Sequence, residues 1–286
     1  MRFPYTFPPL FHRAVFALAY ASPACAADET AFEPVRAELV AEHVALVPGG
    51  TSSLGVHLRH APHWHSYWIN PGDSGLPTTL AWSLPAGYTA GEVEWPVPKR
   101  FDVGGLHNIG YEGDVLLPVA LKVPADAVAG SNAPLAVTVK WLACREECIP
   151  GKATLSLELP VAREMPRPDA RVAAAFTTAR LAQPQASAWS GSAHDGGARI
   201  AVRLAGAGLP SMSARLDAFV VQRKVVGNAP PSIRRDGDAL LIEAARSEYF
   251  TRAPVDLDLV VTTTDGPAPR GWHVRVPYAA GTAPAN

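Results

Sequence analysis

The strongest constraint on this chain is the period of its apolar residues. Leu135, Val137, Val139 and Trp141 alternate with Ala136, Thr138 and Lys140, and Leu155, Leu157 and Leu159 alternate with Thr154, Ser156 and Glu158. Alternation of this kind gathers one class of side chain on one face of a strand and scatters it around a helix. Leu54, Val56 and Leu58 repeat the pattern. The runs are short and stop at turn formers: Val44–Val47 at Pro48-Gly49-Gly50, and Thr79–Leu84 at Pro85-Ala86-Gly87. Asp114–Val123 reads as a buried strand. Pro118 inside it marks an edge or a bulge, because proline brings no ladder donor. The 28 prolines and 23 glycines suit a chain with many turns. The expected class is all-β, with a sandwich over residues 27–164.

Met165-Pro166-Arg167-Pro168 reads as a linker, so the chain is divided near residue 164. Asp169 is placed to cap a helix over Ala170–Leu181, which ends before Pro184. Strands resume at Arg199–Leu204, Ala218–Val226, Ala239–Ala244, Val255–Thr262 and Trp272–Val276. Residues 165–286 are therefore expected to form a second, smaller β-rich domain with one helix at its start. That half has no cysteine and only His194 and His273, and it offers no catalytic constellation.

The N-terminus reads as an address. Arg2, His12 and Arg13 precede the apolar Ala14–Tyr20, and Ala24-Cys25-Ala26 follows as an A-x-A cleavage site. Residues 1–26 are expected to be a signal peptide for export to the periplasm. A lipoprotein signal at Cys25 is the weaker reading, because Ser22-Pro23-Ala24 lacks the usual aliphatic residue. Cleavage removes Arg2 and Arg13, which takes the formal charge from −1 to −3. No basic excess is then available for nucleic acid. No apolar run approaches the ~20 residues that span a bilayer.

Cleavage also removes Cys25 and leaves Cys144 and Cys148 as the one pair, in a compartment where disulfides form. Strand-like runs flank the pair on both sides. Four residues of extended strand span roughly 13 Å, whereas bridged Cα atoms lie within ~7 Å. A bridge therefore requires a turn, and Arg145-Glu146-Glu147 is polar enough to be its tip. So short a loop restricts the unfolded chain little. Three readings stay open on spacing alone: a local staple, a redox pair, and half of a metal site. His57, His60, His63 and His65, four of the nine histidines, are the candidate source of the other metal ligands. Their plainer reading is hydrogen-bonded imidazoles beside Trp64, Tyr67 and Trp68. A triad from Ser74, Asp73 and a histidine lacks any nucleophile-elbow context.

Three stretches carry a family resemblance. They are Trp64-His65-Ser66-Tyr67-Trp68-Ile69-Asn70-Pro71-Gly72-Asp73-Ser74-Gly75, then Trp95-Pro96-Val97-Pro98 with Gly110-Tyr111-Glu112-Gly113-Asp114, then Trp141-Leu142-Ala143-Cys144 with Cys148-Ile149-Pro150-Gly151. In order and spacing, residues 37–162 resemble the N-terminal periplasmic domain of thiol:disulfide interchange protein DsbD, in its ScsB-like subgroup. The second half resembles a further β-domain of that subgroup.

The resemblance implies an immunoglobulin-like sandwich with Cys144 and Cys148 as a redox-active pair. It implies a membrane-embedded thiol reductase as donor, and periplasmic thioredoxin-like or disulfide isomerase proteins as acceptors. A copper-tolerance or copper-binding role is the alternative it suggests. In the family a loop covers the cysteines with an aromatic residue. Arg100–Tyr111 occupies that place here, with Phe101 and Tyr111 as candidate caps. The sequence ends at Asn286 without the membrane and thioredoxin-like domains of full-length relatives. It also has no glycine fingerprint for a nucleotide. No cofactor is expected, and the electrons are expected from a separate protein.

Overall fold

A computed structural model describes residue 1, residues 32–264 and residues 269–280. The leader and its cleavage site at Ala26 lie outside the described residues. The described residues from Glu33 onward form one compact unit.

The first region contains β1 (Val35–Ala41), β2 (Thr51–His60), β3 (His65–Gly72), β4 (Thr79–Ser83), β5 (Thr89–Val93), β6 (Lys99–Val103), β7 (Leu106–Glu112), β8 (Asp114–Lys122), β9 (Asn132–Cys144) and β10 (Cys148–Pro160). They form two antiparallel sheets, one ordered β1-β2-β8-β5 and the other β10-β9-β3-β7-β6, with β4 pairing β9. The alternating residues face each other between the sheets. Val56, Leu58 and Leu117 meet Trp68, Ile109, Val137 and Val139, and Leu54 and Leu121 meet Leu135 and Leu159. This is the immunoglobulin-like sandwich of an all-β fold.

Proline 118 marks a bulge, not an edge. β8 lies between β2 and β5. The Pro118 carbonyl accepts the Glu94 N–H on the β5 side. The missing donor faces the same way, where the β5 register slips between Ala90 and Val93. Val44–Val47 forms no strand; Leu46 makes only an isolated bridge to Val161.

The helix α1 spans Ala173–Leu181, shorter at its start than the sequence suggests. Asp169 does not cap it. The Asp169 side chain accepts the Arg171 N–H, and its carbonyl accepts those of Val172 and Ala173, so it builds the turn ahead of the helix. α1 lays Phe176 and Ala179 on Val40 and Leu116 of the first sheet.

The second region contains β11 (Gln185–Ala186), β12 (Ser190–Asp195), β13 (Arg199–Ala205), β14 (Leu216–Val220), β15 (Ser232–Asp236), β16 (Ala239–Ala245), β17 (Asp256–Thr263) and β18 (Arg270–Ala280). They join in one sheet ordered β14-β17-β18-β12-β13-β16-β15, with β11 on β18. Its halves are joined by a short parallel pairing of β12 with β18, from Ala193 opposite Tyr278 to Asp195 opposite Ala280. Val202, Leu204, Leu240 and Ile242 share a core with Leu257, Leu259, Val274 and Val276. Phe219 and Val260 of this region also join the core of the first.

Candidate functional site

The site begins with a hairpin. β9 and β10 pair along their whole lengths and place Cys144 directly opposite Cys148. The chain turns through Arg145-Glu146-Glu147, closed by the Arg145 N–H on the Glu147 carbonyl. The cysteines form a disulfide with Cα atoms 4.1 Å apart. Their environments differ. Cys144 is 2% exposed, whereas Cys148 is open to solvent at the start of β10. Leu142 and Pro150, the pair two residues along, extend the same face. Arg145 lies over the Trp64 ring, 5.4 Å from its centroid.

His65 of β3 lies opposite Cys144 on the other side of β9. Directly opposed residues share a face of an antiparallel sheet, so His65, Cys144 and Cys148 line one outer face. Burial depresses the His65 imidazole to about pH 4, helped by nearby His60 and opposed by Glu112. At neutral pH His65 is therefore an uncharged ring. Phe101 of β6 stacks on it, centroids 4.7 Å apart and planes 14° from parallel.

Tyr67, two residues along β3, is fully buried on the same face. Its hydroxyl lies 3.9 Å from the Cys148 sulfur. The proton order can be read from fixed donors. The Ser74 N–H and hydroxyl both point to Asn108 Oδ1, at 3.3 and 2.7 Å. That fixes the amide, so Asn108 Nδ2 donates to the Tyr67 hydroxyl at 3.3 Å and lies 3.4 Å from His65 Nε2. With its oxygen accepting, Tyr67 has its own proton free for the Cys148 sulfur. Burial raises the Tyr67 hydroxyl above its ordinary value, against a smaller effect of Ser74, so it stays protonated. Gly75 makes room for this ring: its φ is +96°, and a Cβ there would sit 2.3 Å from the Tyr67 ring.

The other predicted residues fall elsewhere. Tyr111 is on the core face; its hydroxyl donates to the Pro96 carbonyl at 2.8 Å and its ring stacks on Trp95. His60 bridges the Gly113 carbonyl and the Ser66 hydroxyl. His57 pairs with Arg59, and His63 occupies a turn at φ 68°. Of the four clustered histidines, His65 is the one set beside the cysteines. Among the described residues no three His, Cys, Asp or Glu side chains are grouped to hold a metal ion. Nor does any helix among them have the length and apolarity to cross a membrane.

Sequence reasoning missed Tyr67, Asn108 and Ser74 as partners of the sulfur pair. The period-2 relation of His65 and Tyr67 was the one available signal. The link to Asn108 depends on pairing between strands distant in sequence.

Residues 36–160 match the family model described as thiol:disulfide interchange protein DsbD, N-terminal. The fold resembles that of the N-terminal periplasmic domain of ScsB from Proteus mirabilis, with a TM-score of 0.62 and 19% identity, over 87% of this chain and 95% of that one. The match thus includes both β-regions. The titin domains z1z2 in complex with telethonin align over 87% of this chain and 98% of theirs at 14% identity, but at a TM-score of 0.20. No curated protein sequence matches.

Proposed function

Residues 36–160 form a DsbD N-terminal-like domain, and from that premise we propose that the chain is a periplasmic thiol–disulfide exchange protein working through Cys144 and Cys148. The observation that carries the reading is the asymmetry of the bridge: Cys144 buried, Cys148 exposed with its sulfur near a hydroxyl donor.

Exchange proceeds in line at an accessible sulfur. In the oxidised protein a donor thiolate attacks the Cys148 sulfur, a mixed disulfide forms there, and Cys144 leaves as a thiolate and takes a proton. A second donor thiol then displaces Cys148, so two electrons and two protons enter the pair. Onward transfer is the reverse. The Cys148 thiolate attacks the acceptor's disulfide and releases one acceptor thiol. Cys144 then attacks Cys148, restores the bridge and releases the second acceptor thiol. Tyr67 stabilises the Cys148 thiolate by donating to it, since hydrogen bonds to a charged form lower its pKa. Neutral His65 adds no charge but fills the space behind Cys144.

Phe101 is the cap of this site. It stands on the cysteine face through His65, whereas Tyr111 turns into the core. The donor is a membrane-embedded thiol reductase, and the acceptors are thioredoxin-like or disulfide isomerase proteins.

The test is trapping in cells. Cys144→Ser leaves Cys148 to attack with no resolving thiol, so it should accumulate a mixed disulfide with a thiol protein. Cys148→Ser leaves only the buried sulfur and should accumulate none. Equal failure of both variants, with the wild-type pair always oxidised, overturns the reading in favour of a local staple.

A further inference from the structure

The second β-region touches the site through the strand that bears Phe101. β6 is the outermost strand of its sheet and pairs only with β7. β7 in turn holds β3 by an interrupted ladder, its register shifting between Tyr67 and Gly72. β7 is anchored in the core through Ile109 and Tyr111, so β6 alone is the flap, tied to the sandwich by one ladder. Successive residues of a strand face opposite ways. Phe101 faces His65, so Arg100 faces the other side, and there it enters the second region.

Arg100 is almost fully enclosed, with a side chain 10% exposed. Its Nε and Nη2 donate to both carboxylate oxygens of Asp217 on β14, at 3.0 and 2.8 Å. Nη2 also donates to the Ala218 carbonyl, and Nη1 to that of Asn228. The guanidinium lies 4.8 Å from the centroid of the Phe219 ring. A second tie reaches the loop that closes on the flap. Asn228 Nδ2 donates to Asp73 Oδ1 at 2.9 Å, while Asp73 Oδ2 accepts the His107 N–H of β7 at 2.8 Å.

We infer that the second β-region is the latch of the cap: Arg100 and Asp217, with Asn228 and Asp73, hold the edge strand β6 shut on the sandwich and so keep Phe101 over the cysteine face. Arg100, Asp217 and Asn228 are positioning residues that act through Phe101. A forked pair with two further carbonyl acceptors is stiff in orientation as well as attractive. It ties a weakly paired flap to a core that does not move with it. The inference gives the second region a task in the exchange cycle proposed above and rests on that reading for its meaning. Its test, however, needs only free thiols.

The full chain is reduced, and the rate of iodoacetamide reaction at Cys144, the buried cysteine opposite His65, is followed by peptide mass at fixed pH. Asp217→Asn and Arg100→Lys, both near-isosteric, should each speed alkylation by about tenfold, as expected when a local opening becomes easier. Asn228→Ala should give a smaller rise. Phe101→Ala should be fast already, and adding Asp217→Asn to it should change nothing further. Asp236→Asn, which breaks the exposed Arg203–Asp236 pair of the same region, is the control and should match the wild type. Unchanged rates in Asp217→Asn and Arg100→Lys overturn the latch. So does a control variant that alkylates as fast as Asp217→Asn, or full additivity with Phe101→Ala. Failure of the wild type to exchange with any thiol partner would overturn the proposed function instead, and the alkylation rates would still decide the latch.

Discussion

Two hairpins stand on either side of β3, and they are built to different standards. β9 and β10 are 13 residues each and paired throughout, and they carry the cysteines. β6 is 5 residues long, at the edge of the sheet, and carries Phe101. The sulfur pair therefore sits on the stiff hairpin and Phe101, the proposed cover, on the weak one. Reversing that arrangement would give a mobile sulfur pair under a fixed lid, unable to meet a partner in one geometry. The contrast extends to burial. His65, Ser66, Asn70 and Asn108 are buried polar residues crowded on β3 and β7, between the two hairpins. Buried polar groups destabilise unless partnered. Each has a partner: Asn108 reaches His65, Ser66 meets His60, and Asn70 donates to the Val220 carbonyl.

The largest effect should come from the stiff hairpin. Cys148→Ser should reduce exchange with a small disulfide to background while leaving the fold intact. A bridge closing so short a loop contributes only about 2 kcal/mol by chain entropy. Thermal unfolding with and without reductant checks the second half of that statement, and a collapse on reduction would make the bridge a structural necessity.

Next in size is the seam between the hairpins. Gly110 of β7 lies so close to β3 that an added Cβ would meet the Ser66 carbonyl. Gly110→Ala should cost about 3 kcal/mol, at the upper end of overpacking effects, and should loosen the flap. A urea midpoint equal to the wild type's would mean that the seam carries no load.

A pH experiment addresses the residue between them. Folding holds His65 neutral down to about pH 4, against an ordinary value of 6.5. Between those values the unfolded chain binds a proton that the folded chain refuses, so stability falls as pH drops through that window and levels off below it. One unit is worth about 1.4 kcal/mol, so the wild type should lose roughly 2 kcal/mol more than His65→Gln between pH 7 and pH 5. Equal losses would show that His65 is not desolvated as described.

The smallest expected effect is electronic. Tyr67→Phe removes the donor at the Cys148 sulfur and should raise the thiol's midpoint in alkylation-against-pH by about one unit, or about 1.4 kcal/mol. No shift would leave Tyr67 as packing alone.

How much of this was legible in the sequence follows from the range of each signal. Leu135, Val137, Val139 and Leu155, Leu157, Leu159 announced their strands because alternation is local. The turn between Cys144 and Cys148 followed from reach. The helix start differs because Asp169 spends on a turn, at the Arg171 N–H, the side-chain oxygen that a cap would use. Val44–Val47 looked like a strand because apolar content without a pairing partner reads the same way. The network Ser74–Asn108–Tyr67–Cys148 was invisible because its members lie on separate strands and one loop, and only the register brings them together. Arg100 was likewise one cation among 25 Lys and Arg until Asp217, more than a hundred residues on, was seen to face it.

The central claim is that the Cys144–Cys148 bridge is an exchangeable carrier. Equilibrating the full chain with graded thiol–disulfide buffers, and measuring the fraction bridged, tests it directly. The account predicts a midpoint well above the ~−300 mV below which structural bonds lie. A midpoint below that value would contradict it and make the bridge a staple.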